Sequence, residues 1–343
     1  MVFSRTRAPC SSTELRAAAQ IVFNDLNRLN RSNNSLKGAF MGKLSRILPH
    51  LKGKLQNTTD VARLLRYDAK NLLRPRVDLS ERMEDPRFFF PVCFACAKHF
   101  EILRIALRSL GIWAPSVKEI NIYMDKADPF TAVQCELLRS ESRYPLSFRQ
   151  TVYPMSPPGL RVILSELYAF QKLAEQMRTG DFLVKFDSDV IFLSDTIFQF
   201  VANGGAGAIG TGVSEIHPSV RNDYLQGGCY FIVGAELRAM VNSRITATAL
   251  ALLREHSILF EDQFISPLLR QCGTKIVRNK FLYYDPALAE PGLDETELEA
   301  RLRAIPATAS VLHFEGNKSN MRRAAEKLLP SLAAVWNRYQ GAS

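Results

Sequence analysis

An α/β fold is predicted: a Rossmann-like, mostly parallel sheet with helices on both faces, plus an N-terminal helical extension. Three observations carry it. From residue 88 to residue 313, short apolar runs rich in β-branched and aromatic residues alternate with amphipathic stretches of about 10 to 17 residues, the pattern of strands joined by crossover helices. Before residue 80 no such strand runs occur, and apolar residues recur at helical spacing instead. Finally, the apolar run Phe182-Leu183-Val184-Lys185-Phe186 ends in Asp187-Ser188-Asp189, which places two carboxylates where a buried strand would otherwise continue.

The bulk properties agree with this class. A chain of 343 residues with 47% hydrophobic and 23% charged residues can bury a large core, which excludes a disordered or fibrous protein. Nothing approaches the roughly 18 consecutive apolar residues of a membrane-spanning helix. Residues 1–7 lead into polar sequence rather than into the apolar core of a secretion signal, so a cytoplasmic location is expected, with peripheral membrane contact allowed. The net charge of +10 is unevenly placed: residues 1–80 hold 15 Lys or Arg against 5 Asp or Glu, and the rest of the chain carries 29 of each. A basic helical segment of this kind suits an anionic membrane surface or an acidic partner, and a solvated basic face is the plainer alternative. No nucleic-acid partner is expected. Six cysteines, several inside apolar runs, read as reduced buried thiols; Cys93-Phe94-Ala95-Cys96 has redox or zinc spacing, but no second pair comes after it.

Taken in order, residues 12–29 read as a helix, with Leu15, Ala19, Val22, Leu26 and Leu29 at spacings of three and four, and residues 30–35 as a polar turn. Amphipathic pieces come next at 40–55 and 58–73, the second opened by the capping residues Asn57, Thr58, Thr59 and Asp60. Residues 74–86 form a charged linker punctuated by Pro75 and Pro86, and separate the 1–80 extension from a domain spanning 86–343. Strands are expected at 88–95, 117–124, 147–153, 181–189, 208–210, 224–233, 275–277, 280–284 and 309–313. Helices are expected at 99–110, closed by Gly111, and at 129–140, 161–177, 264–272 and 290–304, with another leading from 235 toward Glu261. The glycine-rich stretch 203–208 lacks the Lys-Ser/Thr of a phosphate loop and reads as a turn.

Side chains two apart on a strand face the same way, so Asp187 and Asp189 are expected to converge on one point. Carboxylates that close repel unless a proton or a divalent cation lies between them. The cation such oxygens suit is Mg²⁺ or Mn²⁺, bound by few protein ligands with a diphosphate supplying others. Two further pieces, Asp262-Gln263 and the run from His313 through Gly316 to Lys318, complete a candidate site.

In their order, these pieces resemble the GT-A glycosyltransferases: a strand ending in Asp-x-Asp, a later Gly-Gly strand, then Asp-Gln, then His-Phe-x-Gly with a nearby lysine. The resemblance is strongest to the retaining family 8 type, to which glycogenin and bacterial lipooligosaccharide galactosyltransferases belong, and it spans residues 88–320. It implies transfer of a sugar from a nucleotide-diphosphate donor, a UDP-sugar by this likeness, to a saccharide, lipid-linked or protein acceptor, with retention at the anomeric carbon. It makes Asp187, Asp189 and His313 the ligands of Mn²⁺ or Mg²⁺. Lys318 becomes a cationic clamp on the diphosphate, Gly316 a point of close backbone approach to it, and Ser188 part of the same donor site. Asp262 and Gln263 match the pair near the reacting sugar carbon, and Gln226 stands where the family commonly has Asn. Lys172 lies about where glycogenin-like members have Lys-Leu, while Phe94 and Asp125 end the first two strands, where the base is held. The chain departs from the family pattern in bringing Lys318 one residue early and in carrying Ser319-Asn320 in place of Pro-Trp.

Plainer readings stand beside these. Asp caps turns well, a lone histidine is usually structural, Asp262-Gln263 also reads as a helix start, and the lysines read as surface residues. Two other functional classes fit parts of the pattern. A haloacid-dehalogenase-like phosphohydrolase would use Asp187 as nucleophile, although Val190-Ile191 stand where a Gly-Thr-like turn is expected. A non-catalytic GT-A-like module would bind nucleotide without cleaving a donor.

Overall fold

The computed structural model describes residues 58–72, 88–204, 207–217, 224–255 and 260–340. The helices expected within 12–55, the linker at 74–86 and most of the basic segment assigned a membrane contact lie outside the described residues.

The main sheet has seven strands in the order β3-β2-β1-β4-β7-β6-β8. They are β1 (Phe89–Ala95), β2 (Ile120–Met124), β3 (Leu146–Gln150), β4 (Phe182–Phe186), β6 (Ala208–Gly212), β7 (Leu225–Val233) and β8 (Ile276–Arg278). Strands β3, β2, β1 and β4 run parallel, as do β6 and β8, and β7 alone is antiparallel to both of its neighbours. The chain starts at β1, winds out through β2 to β3, then returns to lay β4 on the other side of β1. In open α/β sheets the crevice at such a reversal, beyond the carboxyl ends of the strands, is where ligands bind.

Alternation along the strands fills two cores. Phe89, Phe182, Val184, Phe186 and Phe231 point to one face, covered by α2 (Phe100–Trp113), α5 (Thr196–Asn203) and the start of α12 (Lys318–Gln340). Phe90, Val92, Leu183, Tyr230 and Ile232 point to the other, under α4 (Leu160–Ala174), α7 (Gly234–Val241) and α9 (Glu261–Gln271). Burial on both faces explains why the strands read as nearly unbroken apolar runs, with each fully buried large side chain contributing roughly 1.5–3 kcal/mol.

Helix α1 (Thr58–Leu72) seats on this second core through Leu64 and Tyr67. Tyr67 and Asn71 donate to the carbonyl of Val241 at 2.9 and 2.8 Å, and Gln171 donates to Asn71 at 2.7 Å. Asp68 accepts the backbone N–H groups of Ile245 and Thr246, so one helix supplies the N-terminal cap of another, α8 (Thr246–Glu255). The single helix expected from 235 toward 261 is thus two, α7 and α8, with the break at the residues Asp68 caps.

A second, smaller sheet corrects the expected strand 181–189. Strand β4 ends at Phe186, and Val190–Phe192 forms β5 in a three-stranded sheet of order β5-β10-β9 with β9 (Leu282–Tyr284) and β10 (Val311–His313). Val190, Ile191 and Phe192 are all fully buried, so their composition continues that of β4 and the change of sheet leaves no trace in the apolar pattern. Cys93, Cys96, Cys135 and Cys229 are free buried thiols. Among the described residues no helix is long and apolar enough to cross a membrane.

Candidate active site

Three chain segments meet where β4 passes into β5. The N–H of Asp187 donates to the carbonyl of Gly228 at 2.9 Å, adding one last rung between β4 and β7. Three residues on, β5 begins and pairs antiparallel with β10 so that Val190 faces His313, and the N–H of Phe314 donates to the carbonyl of Asp189 at 3.1 Å. Asp187 is therefore held by the large sheet, and Asp189 and His313 by the small one. Their convergence comes from this crossing between sheets rather than from the alternation of a single strand.

One ligand atom from each of Asp187, Asp189 and His313 lies within 4.8 Å of the others, and His313 Nε2 is 3.4 Å from Asp189 Oδ1. Burial alone would raise Asp189, but the hydrogen bond and charge of His313 outweigh it and hold the carboxyl below its usual range. His313 moves the opposite way: burial lowers it, and Asp189 more than compensates. Burial pushes Asp187 up against the pull of Lys185, with Asp189 adding to the rise. Two carboxylates and an imidazole within this span form a donor set that fits a divalent cation of the Mn²⁺ or Mg²⁺ kind.

No protein-family model matches this chain, and no curated protein does. Among solved structures it is similar to the galactosyltransferase LgtC in complex with donor and acceptor sugar analogues, at 13% identity and a TM-score of 0.44, over 66% of this chain and 87% of that one. It is also similar to an active-site mutant of LgtC, at 13% identity and a TM-score of 0.47, over 71% and 95% of the two chains.

Around the triad, Gln226 Nε2 lies 3.2 Å from His313 Nδ1. A side chain at Gly228 would collide with this pair, since a Cβ there would sit 2.6 Å from Gln226 Oε1 and 3.1 Å from His313 Nδ1. Gly316, at φ +85°, donates its N–H to Asp189 Oδ2. Lys318 opens α12, whose N-terminus is capped by Asn317 accepting from the N–H of Asn320, and its ammonium donates to the carbonyl of Lys98. Ser188 Oγ is 3.2 Å from Nδ1 of His99, a residue that no sequence motif singles out.

The remaining assigned residues lie in other settings. Asp262 and Gln263 stand in the first turn of α9, where Gln263 N–H donates to Asp262 at 2.7 Å and Gln263 Oε1 accepts from Phe260 N–H at 3.3 Å. Phe94 stacks on Tyr123 at 5.5 Å in the second core. Asp125 comes directly after β2 and accepts from the N–H groups of Ala127 and Met155, tying two loops together. Lys172 is on α4 and pairs with Glu175 at 3.0 Å on the surface.

Burial, reinforced by the charge of Glu261, pushes the Asp262 carboxyl up to about 7. An acid raised in the folded state and ordinary (about 3.9) when unfolded penalises the native fold increasingly as pH climbs between those two values. Thermal melts of Asp262→Asn and wild type are expected to coincide near pH 4, with the variant melting higher at pH 8. Parallel curves across that window would show that Asp262 titrates normally.

Four residues in this region carry no motif in the sequence: Lys185, Glu166, Glu261 and Tyr230. Lys185 has a signal of another kind, because it is the one charged residue in the run from Phe182 to Phe186, and a lysine is almost never fully buried unless paired. Its partners come from distant segments that only the fold brings near.

Proposed function

We propose that this chain is a metal-dependent glycosyltransferase of the GT-A type that takes a sugar from a nucleotide-diphosphate donor, of the UDP class by resemblance, and passes it to a saccharide, lipid-linked or protein acceptor. The observation that carries the reading is the meeting of Asp187, Asp189 and His313 at the carboxyl end of the sheet, beside its point of reversal. These three residues would hold Mn²⁺ or Mg²⁺, which when bound supplies positive charge for a departing diphosphate.

The chain's own groups have distinct tasks in this reading. Gly316 fixes the Asp189 carboxylate through its N–H, and Gln226 orients the imidazole. The N–H of Gly228 donates to Gln226 Oε1, which fixes the amide with its NH₂ group toward His313 Nδ1. Lys318, which donates to the carbonyl of Lys98, and His99, which lies against Ser188 between the two aspartates, would offer positive or N–H groups to phosphate oxygens. Asp262, in the first turn of α9 beside Glu261, is the carboxyl that the resemblance sets near the reacting sugar carbon.

Calorimetric titration with a panel of nucleotide sugars, each with and without Mn²⁺, tests the reading. UDP-sugar binding that requires the metal, accompanied by slow donor hydrolysis, is the expected result. Binding indifferent to Mn²⁺ would overturn it, and nucleotide binding with no turnover on any donor would point to a non-catalytic module.

A further inference from the structure

Lys185 lies one residue before the end of β4 with its side chain 1% exposed, and no role above uses it. Its Nζ is 2.6 Å from Asp187 Oδ1 and 3.7 Å from Glu261 Oε1, and it donates to the carbonyl of Gly227 on β7. The strand makes room for this arrangement by omission. A Cβ at Gly227 would sit 2.6 Å from Glu261 Oε1 and 3.6 Å from Lys185 Nζ. Glu166, 2% exposed on α4, and the ring of Tyr230, 5.8 Å from Nζ, complete the surroundings. Glu166 Oε2 and the Tyr230 hydroxyl are buried without a hydrogen-bond partner among the described residues.

An ammonium this deeply buried is costly unless paired and hydrogen-bonded. Its contacts here are specific: a carboxylate after β4, a carbonyl on β7 and a carboxylate at the start of α9. One charge thus ties a candidate metal ligand to the helix that carries Asp262 and Gln263.

We propose that Lys185 is a positioning residue, whose ammonium engages Oδ1 of Asp187 so that the other oxygen is turned toward Asp189 and His313, while the first turn of α9 is anchored to the same point through Glu261. The inference rests on the metal-dependent reading above. It requires that Asp187 meet the ion through one oxygen, and that the ion see a site one unit less negative than its two aspartates alone would make it.

Mn²⁺ affinity, measured by calorimetry and by the resonance spectrum of the bound ion, separates this role from simple charge balance. Lys185→Met leaves the partly buried Glu261 and the nearer Asp187 uncompensated and is expected to lower the melting temperature. The double variant Lys185→Met/Glu261→Gln removes the charges of Lys185 and Glu261 and is expected to recover part of that loss. In this folded double variant Mn²⁺ is expected to bind roughly 10–100-fold more weakly, as when an outer partner of a metal ligand is lost. Glu261→Gln alone is expected to stay near wild-type affinity. A double variant that melts like wild type and binds Mn²⁺ equally well would reduce Lys185 to a charge balancer and overturn the inference. If the unaltered protein binds no Mn²⁺, the metal-dependent reading itself falls, an outcome distinguishable because it needs no variant.

Discussion

Replacing Asp189 by alanine is expected to abolish measurable Mn²⁺ binding and to lower donor turnover by roughly 10²–10³-fold, the loss that results when several kcal/mol of charge stabilisation disappear from a transition state. Asp189 is the member of the triad most fully engaged by its neighbours. Its carboxylate faces His313 Nε2 at 3.4 Å and receives the N–H of Gly316, and its backbone carbonyl receives the N–H of Phe314. The backbone contact survives truncation to alanine, so β5 and β10 stay paired and the defect is confined to the ion. The ion-free protein should also change its pH response. A carboxyl lowered by folding adds stability above its ordinary range that is lost as acid protonates it; a histidine raised by folding adds stability that fades as pH rises through its folded value. The pair therefore supports the fold best in the mildly acidic region, and the variant should lose most there. Calorimetry with Mn²⁺ and a donor-hydrolysis assay decide the matter, and undiminished metal binding would remove Asp189 from the site.

The largest effect on stability is expected at Phe231. This residue is fully buried on β7, and its ring meets Phe198 at 5.6 Å, Phe281 at 5.7 Å and Phe89 at 6.4 Å, all close to edge-to-face. Those partners come from α5, from the segment before β9 and from β1, so the ring joins the two sheets as well as filling space. Phe231→Ala should cost about 3–5 kcal/mol, the lost transfer energy plus the cavity the rigid neighbours cannot close. Urea melts at constant slope would measure it. A cost below about 1 kcal/mol would mean that the aromatic cluster collapses readily, contrary to its interlocked packing.

Much of the fold was legible because the strands of the main sheet are buried on both faces and the helices between them are not. That contrast of period is strong enough to mark β1 through β4 and most of the later elements. The acids at 187 and 189 were legible for the same reason: carboxylates at the end of an apolar run stand out. Their geometric cause was not, since it depends on pairing β5 with β10 across the whole span from β6 to α11 (Glu295–Arg303). Helix α12 went unread although Met321, Ala324 and Ala325 carry its apolar stripe, because Asn317 and Lys318 resemble a phosphate-binding turn and Asn317 is the helix cap. Gln263 shows a similar competition, its amide oxygen being engaged with the N–H of Phe260 at the start of α9. Lys185 was visible as an oddity, but a sequence does not state which distant carboxylate answers a buried charge.

The crossing from one sheet to the other also orders events in time. All seven strands of the main sheet have left the ribosome before β10 emerges, so a nascent chain can complete its large sheet while it still lacks the imidazole of His313. An ion held by this triad would then be captured among the last acts of folding, and its binding energy would fall on the docking of the C-terminal segment rather than on the sheet beneath it.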